Sequence, residues 1–298
     1  MTMNRRNAIK TGFSLVAAQA LMGGTALAAK EKRLWKVSLC EYSLHRMIPG
    51  KLDPLDFASF TRKTFDIECV DYWNRPFMNK ARDEKYLAEM KSRADDAGVA
   101  GGVILIAGEG NLGDPNTAKR KDAVQRHHKW IDAAKKLGCY AIRVNARSKG
   151  SYDEQLKLAA DGLAMLSEYG KKQDISVLVE NHGGLSSNGE WLAAVMKMVD
   201  SRYCGTLPDF GNFHKYDRYK GTKELMPWAQ NVSAKSHDFN AEGKEVHTDY
   251  YKMMKIVVDS GYRGWVGIEY EGKPPEVEGV KKTQALLAKV HEKLLAEL

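Results

Sequence analysis

The sequence predicts an α/β protein, a single (β/α)8 TIM barrel behind an amino-terminal export signal. Eight short apolar, β-rich runs alternate with longer amphipathic segments, the signature of consecutive βαβ units. The runs end in Gly, Asn, Asp or His rather than in hairpin turns, so neighbouring strands are expected to be parallel. A doubly wound sheet would carry GxGxxG at its first turn, and this chain has none.

The predicted strands, in order, are Trp35–Cys40, Ile67–Tyr72, Ala100–Ala107, Tyr140–Asn145, Ile175–Asn181, Tyr203–Asp209, Val232–His237 and Trp265–Tyr270. The spacing places helices between them, among them Arg82–Ala97, Thr117–Leu137, Tyr152–Lys172, Glu190–Val199 and Thr248–Ser260. Several close on glycine (Gly98, Gly138, Gly261), the residue that accepts the left-handed turn at a helix end. No Pro/Gly/Ser linker divides the chain, so residues 29–298 form one domain. His127 and His128 fall in a strongly polar helix and are expected at its solvated surface. Gly108-Glu109-Gly110-Asn111-Leu112-Gly113 lacks the lysine and hydroxyl of a phosphate loop and reads as a sugar-contacting or mobile segment.

Residues 1–28 read as an address. Arg5, Arg6 and Lys10 precede an apolar stretch from Phe13 to Leu27, and Ala26-Leu27-Ala28 offers a small-x-small cleavage site. Gln19, Gly23, Gly24 and Thr25 interrupt the apolar run, which argues against a membrane anchor. The Arg5-Arg6 pair resembles a bacterial twin-arginine signal and implies a periplasmic or secreted protein. Without this segment the formal charge falls from +8 to +5, too small and scattered for a nucleic-acid partner. Cys40, Cys69, Cys139 and Cys204 lie far apart with no CxxC spacing, so they read as buried free thiols rather than zinc ligands.

Active sites of such barrels are built at the C-terminal ends of the strands. Four consecutive ends carry ionisable residues: VENHGG (Glu180, His182), PDFGNF (Asp209, Asn212), SAKSHDF (Lys235, His237) and GIEYEG (Glu269). Glu180, Asp209, His237 and Glu269 stand 29, 28 and 32 residues apart, about one βα unit each. Alternation along a strand allows each to point inward, and lets Lys235 share a face with His237. Three carboxylates meeting one imidazole would repel severely without a cation, and one divalent metal resolves this. An oxygen-rich set with one nitrogen suits Mn²⁺, Mg²⁺, Co²⁺ or Zn²⁺. Arg143 at the end of the fourth strand is a further substrate contact, with a structural ion pair as the alternative.

The same motifs resemble the xylose isomerase-like barrels of sugar isomerases and epimerases, over essentially the whole mature chain. That resemblance implies a metal held by Glu180, Asp209, Glu269 and a strand-seven residue. The common strand-seven pattern is His-x-Lys-Asp, and aligning its final Asp with Asp238 puts Lys235 at the His place and His237 at the Lys place. His237 is the expected ligand, because a protonated ammonium cannot ligate. The implied chemistry is proton abstraction α to a sugar carbonyl through an enediolate, with Glu180 and Glu269 as the acid/base pair. His182, Asn212, Lys235 and His214 would hold hydroxyls or the developing oxyanion. The partner is thus a small carbohydrate, and no phosphate-cradling turn follows strands seven or eight, which favours free or glycosidically linked sugars. Alternatives are a lyase or dehydratase acting on keto-sugars or keto-glycosides, a non-catalytic sugar-binding protein, and, last, a nuclease of the apurinic-site endonuclease type. Chain composition does not fix the oligomeric state.

The export reading has a direct test. Cell fractionation should recover a shortened protein beginning near Ala29 outside the cytoplasm, and replacing Arg5 and Arg6 by Lys should retain it inside; full-length cytoplasmic protein in normal cells would refute it.

Overall fold

The computed structural model describes residues 33–298; the signal segment predicted over 1–28 lies outside them. Eight strands follow one another as β1 (Lys36–Cys40), β2 (Cys69–Trp73), β3 (Ala100–Leu105), β4 (Ala141–Asn145), β5 (Ser176–Glu180), β6 (Cys204–Leu207), β7 (Val232–Ser236) and β8 (Trp265–Tyr270). Between and after them run α1 (Phe57–Phe65), α2 (Glu84–Asp96), α3 (Thr117–Leu137), α4 (Tyr152–Gln173), α5 (Gly189–Val199), α6 (Arg218–Leu225), α7 (Tyr250–Asp259) and α8 (Glu276–Leu295). All paired strands are parallel, in the order β6-β5-β4-β3-β2-β1-β8-β7. The parallel bridges Thr206↔Ala229 and Asp209↔Ser233 join the two ends of that order, β6 to β7. This is the predicted (β/α)8 barrel.

Helix starts are set by side chains that accept free backbone N–H groups. Asp83, Asn116, Asn188, Asp217 and Asp249 cap α2, α3, α5, α6 and α7, and Ser151 with Glu154 forms a reciprocal capping box on α4. The main apolar core lies between the strands and the helices, with Trp130, Trp191, Tyr72, Phe57 and Phe77 among its largest fully buried side chains. A small separate cluster of Val103, Ala141, Leu178 and Leu207 forms a second apolar core.

Asp71 is buried and accepts hydrogen bonds from Ser38 Oγ (2.6 Å) and the Val103 N–H (3.0 Å). A Cβ on Gly102 would stand 2.3 Å from Asp71 Oδ1, and one on Gly267 2.7 Å from Oδ2. Those two positions are therefore closed to any larger residue unless the carboxylate moves.

All four cysteines are buried free thiols, as expected. His127 is not at the solvated surface. It is 4% exposed, and its Nδ1 lies 2.7 Å from the Ala123 carbonyl one turn back. His128 stacks on Tyr169 with ring centroids 3.7 Å apart. The polar residues around this pair occupy the other faces of α3, so mean polarity misreads the histidines. The Gly108–Gly113 segment is pinned by Glu109, which accepts from Trp130 Nε1 (2.7 Å) and pairs with Lys129 (2.8 Å). Among the described residues, no helix is long and apolar enough to cross a membrane.

Glu41, directly after β1, is fully buried. One carboxylate oxygen accepts from the Trp73 N–H (2.8 Å) and the other has no partner. Burial pushes its carboxyl up to about 8. The folded state therefore keeps a proton that the unfolded chain releases from about pH 4.5 upward. Stability contributed by this group is full below that pH and falls as pH rises toward 8, by ~1.4 kcal/mol per unit of pKa displacement. Urea-unfolding midpoints measured from pH 4.5 to 8 should fall in the native chain, and Glu41→Gln should flatten that decline.

Candidate active site

The site grows from strand parity. On β7, Ser233 and Lys235 point the same way, toward carboxylates carried by β8 and by the segment just after β6. Glu180 ends β5, Asp209 follows β6 by two residues, and Glu269 is the penultimate residue of β8, opposite Lys235. Glu180, Asp209 and Glu269 are buried, and each offers a carboxylate oxygen within 4.8 Å of the others. Such a triad could hold a metal ion.

Each carboxylate already has partners. Glu180 is gripped by the Arg143 guanidinium through Nε and Nη2, and its second oxygen accepts from Asn212 Nδ2 at 2.7 Å. Asp209 Oδ1 accepts from the Gly211 (2.8 Å) and Asn212 (2.9 Å) N–H groups. Its backbone is clamped by Asn181, which donates to the Asp209 carbonyl (3.0 Å) and accepts from its N–H (2.8 Å). Asp209 Oδ2 lies 3.4 Å from Lys235 Nζ, and Glu269 Oε1 lies 3.6 Å from the same ammonium. The shortest Lys235 contact, 2.8 Å, is to Glu271 further out on the rim.

Ser233 Oγ lies 2.8 Å from Asp209 Oδ2 and 2.7 Å from Glu269 Oε2. One hydroxyl has one proton to give, so both short contacts are satisfied only when a carboxyl also carries a proton. The electrostatics agree with this. Burial pushes Asp209 well above the usual carboxylate range, although Lys235 opposes it. Burial also raises Glu180, against the pull of Arg143. At Glu269 burial acts upward too, but Lys235 and Arg143 outweigh it and hold the carboxyl at about 2. Burial, Arg143 and Lys235 all act to lower the His182 imidazole, to about 4, so that ring is neutral at pH 7.

Of the residues proposed from sequence, Glu180, Asp209, Glu269, Arg143, Asn212 and Lys235 are brought together. His237 is not. Strand β7 ends at Ser236, the His237 N–H donates to Glu245 (3.3 Å), and its ring faces Glu271 (3.9 Å) and His247 with the side chain 36% exposed. The strand-seven place beside the triad belongs to Lys235, which corrects the assignment of His237 as ligand. His214 is exposed on a left-handed backbone turn (φ 52°) and makes no hydrogen bond or ion pair with the carboxylates. Sequence reading missed Ser233, Glu271, Tyr42 and Trp73. Tyr42 stands 5.0 Å edge-on to Trp73, and its phenol is raised by burial and then by the charges of Glu271 and Glu269. The signal for Ser233 and Glu271 was present, since they share parity with Lys235 and Glu269.

The sequence profile of xylose isomerase-like TIM barrels matches residues 63–290. The chain belongs to that family. Solved relatives of this xylose isomerase-like barrel share its fold at low identity. The apo form of the 3-keto-D-glucoside 4-epimerase YcjR from E. coli superposes with a TM-score of 0.69 at 13% identity, covering 86% of this chain and 99% of that one. The probable 3-DHS dehydratase AsbF from Bacillus anthracis gives 0.64 at 15%, covering 85% and 98%. The IOLI protein, solved with a bound zinc atom, gives 0.70 at 13%, covering 87% and 98%. Among curated protein sequences, none matches.

The Arg143–Glu180 pair supports a stability prediction. Removing one partner of a buried ion pair leaves an uncompensated charge and typically costs ~3–5 kcal/mol. Arg143→Met should therefore lower the urea-unfolding free energy at pH 7 by about that amount, and adding Glu180→Gln should recover much of the loss. Equal stabilities of the single and double variants would contradict the pairing.

Proposed function

We propose that this barrel is a sugar isomerase or epimerase that moves a proton α to a sugar carbonyl. The observation that carries the reading is the convergence of three buried carboxylates from β5, β6 and β8 beside two buried cations at the barrel mouth. Likeness to an epimerase and a dehydratase agrees with carbon-acid chemistry on a polyhydroxylated substrate.

Glu180, Asp209 and Glu269 are the residues that would hold a divalent ion. When bound, such an ion would polarise the substrate carbonyl and an adjacent hydroxyl. The zinc bound by the IOLI protein is in keeping with this assignment. The rest of the chemistry belongs to the chain. Glu269, held ionised by Lys235 and Arg143, is suited to take the α-proton. Glu180, whose carboxyl is raised by burial, is suited to return one from the side of β5. Neutral His182, Asn212 and the Lys235 ammonium supply donors for hydroxyls and for the oxyanion of the enediolate. Tyr42 and Trp73 offer an aromatic wall for the apolar face of a sugar ring.

The test uses a panel of keto-sugars and keto-glycosides in D₂O. Glu180→Gln and Glu269→Gln should each lower turnover by ~10²-fold or more, the scale of one general acid/base. Each variant should keep α-proton exchange only from the epimer that its surviving glutamate can reach. Loss of exchange from both epimers in one variant, with the other near normal, would replace epimerisation by a one-base lyase or isomerase. Normal turnover in both would remove the glutamates from the mechanism.

A further inference from the structure

With all three carboxylates ionised, the two cations leave the core of the site one positive charge short of neutral. What distinguishes it is how the carboxylate oxygens are shared. Glu180 is fully engaged by Arg143 and Asn212, and Asp209 Oδ1 is taken by two backbone N–H groups. The Asp209 oxygen that remains, Oδ2, faces Lys235 Nζ at 3.4 Å, and Glu269 Oε1 faces it at 3.6 Å. An ion ligated by those oxygens would sit ~2.0–2.2 Å from them, inside the space that the ammonium commands. Two cations sharing the same oxygens in a buried site repel strongly, because little water intervenes to screen them.

Lys235 also has somewhere else to be. Its closest partner is Glu271, at 2.8 Å, whose side chain is 30% exposed on the rim and lies outside the triad. Its stem packs on Gly211, where a Cβ would come within 2.8 Å of Lys235 Cδ. The arm is thus seated along a glycine, with its head between an inner pair of carboxylates and an outer one.

We infer that Lys235 and a divalent cation are alternative partners of the Glu180–Asp209–Glu269 triad: the ammonium is the counter-ion the chain supplies from β7, and a metal binds only by driving it outward onto Glu271. The inference rests on reading that triad as the metal-holding group. It makes this a weak, exchangeable metal site, and it makes the charge of residue 235, rather than its ability to ligate, the determinant of affinity.

The experiment is isothermal titration calorimetry of the metal-free full-length protein with Mn²⁺ alone, without substrate. Lys235→Met keeps the stem and removes the charge, and should bind Mn²⁺ at least tenfold more tightly than the native chain. Lys235→Arg keeps the charge and should bind no more tightly than the native chain. Lys235→Gln repeats the charge loss should the methionine variant misfold. Equal or weaker binding by the uncharged variants, or a gain by Lys235→Arg as large as theirs, overturns the inference. Asp209→Asn, added to Lys235→Met, separates the inference from the reading beneath it. Loss of the gained binding supports both. Retained binding places the metal elsewhere, so that the triad assignment fails and the inference falls with it.

Discussion

The barrel mouth is organised by one constraint: three carboxylates are buried together and must be given positive charge. Burying an ionised carboxylate without compensation is expensive enough that the group takes up a proton instead. Here the chain meets the cost with two cations of different kinds. Arg143 is a rigid fork locked onto Glu180 from the neighbouring strand, whereas Lys235 is a flexible arm whose head touches three carboxylates at once. The first fixes a geometry, and the second supplies charge that can be redistributed.

The rest of the fold serves that arrangement. The bridge Asp209↔Ser233, which helps join β6 to β7, places the Ser233 hydroxyl against both Asp209 and Glu269. Asn181, next to Glu180, holds the backbone of Asp209 by a reciprocal pair of hydrogen bonds, so two of the three carboxylates are kept in register by adjacent strands. Gly211 leaves room for the Lys235 stem. The helices outside, capped by Asp, Asn and Ser side chains, bury the apolar outer faces of the strands, while on the inner faces Leu178 and Leu207 lie one step below Glu180 and Asp209 in the small apolar cluster.

Much of this was legible in the sequence because a strand has a period of two and a βα unit has a nearly constant length. Those two regularities identify Glu180, Asp209 and Glu269 as strand-end carboxylates of one cluster without reference to any structure. They do not say where a strand stops. His237 shares parity with Lys235, but β7 ends at Ser236, and His237 lies past it with its N–H on Glu245 and its ring beside Glu271 and His247. Choosing it on ligand chemistry assumed that the place beside the carboxylates had to be filled by a ligand, when a cation serves equally well. His127 failed for a different reason. A helix that is polar on average still has an inner stripe, and one buried histidine can satisfy a ring nitrogen on the carbonyl a turn behind it. Tyr42 and Trp73 carry no pattern at all, since aromatic residues at strand ends are as common in cores as in sites.

The same charge balance also bears on how two glutamates of one cluster could take the opposite roles proposed above. Epimerisation needs one carboxyl protonated and another ionised at the same moment, on opposite sides of the reacting carbon. In water two glutamates would titrate together. In this site burial raises Glu180, while the cations lower Glu269 past the upward pull of its own burial. The short Ser233 contacts to both Asp209 and Glu269 require a proton within the cluster, and Asp209, raised by burial, is the carboxyl of that pair disposed to hold it. Proton and ammonium are thus two answers to one electrostatic demand, and the proposed metal would be a third. Under the function proposed above, a site that admits all three would pass a proton between carboxylates without burying an unpaired charge.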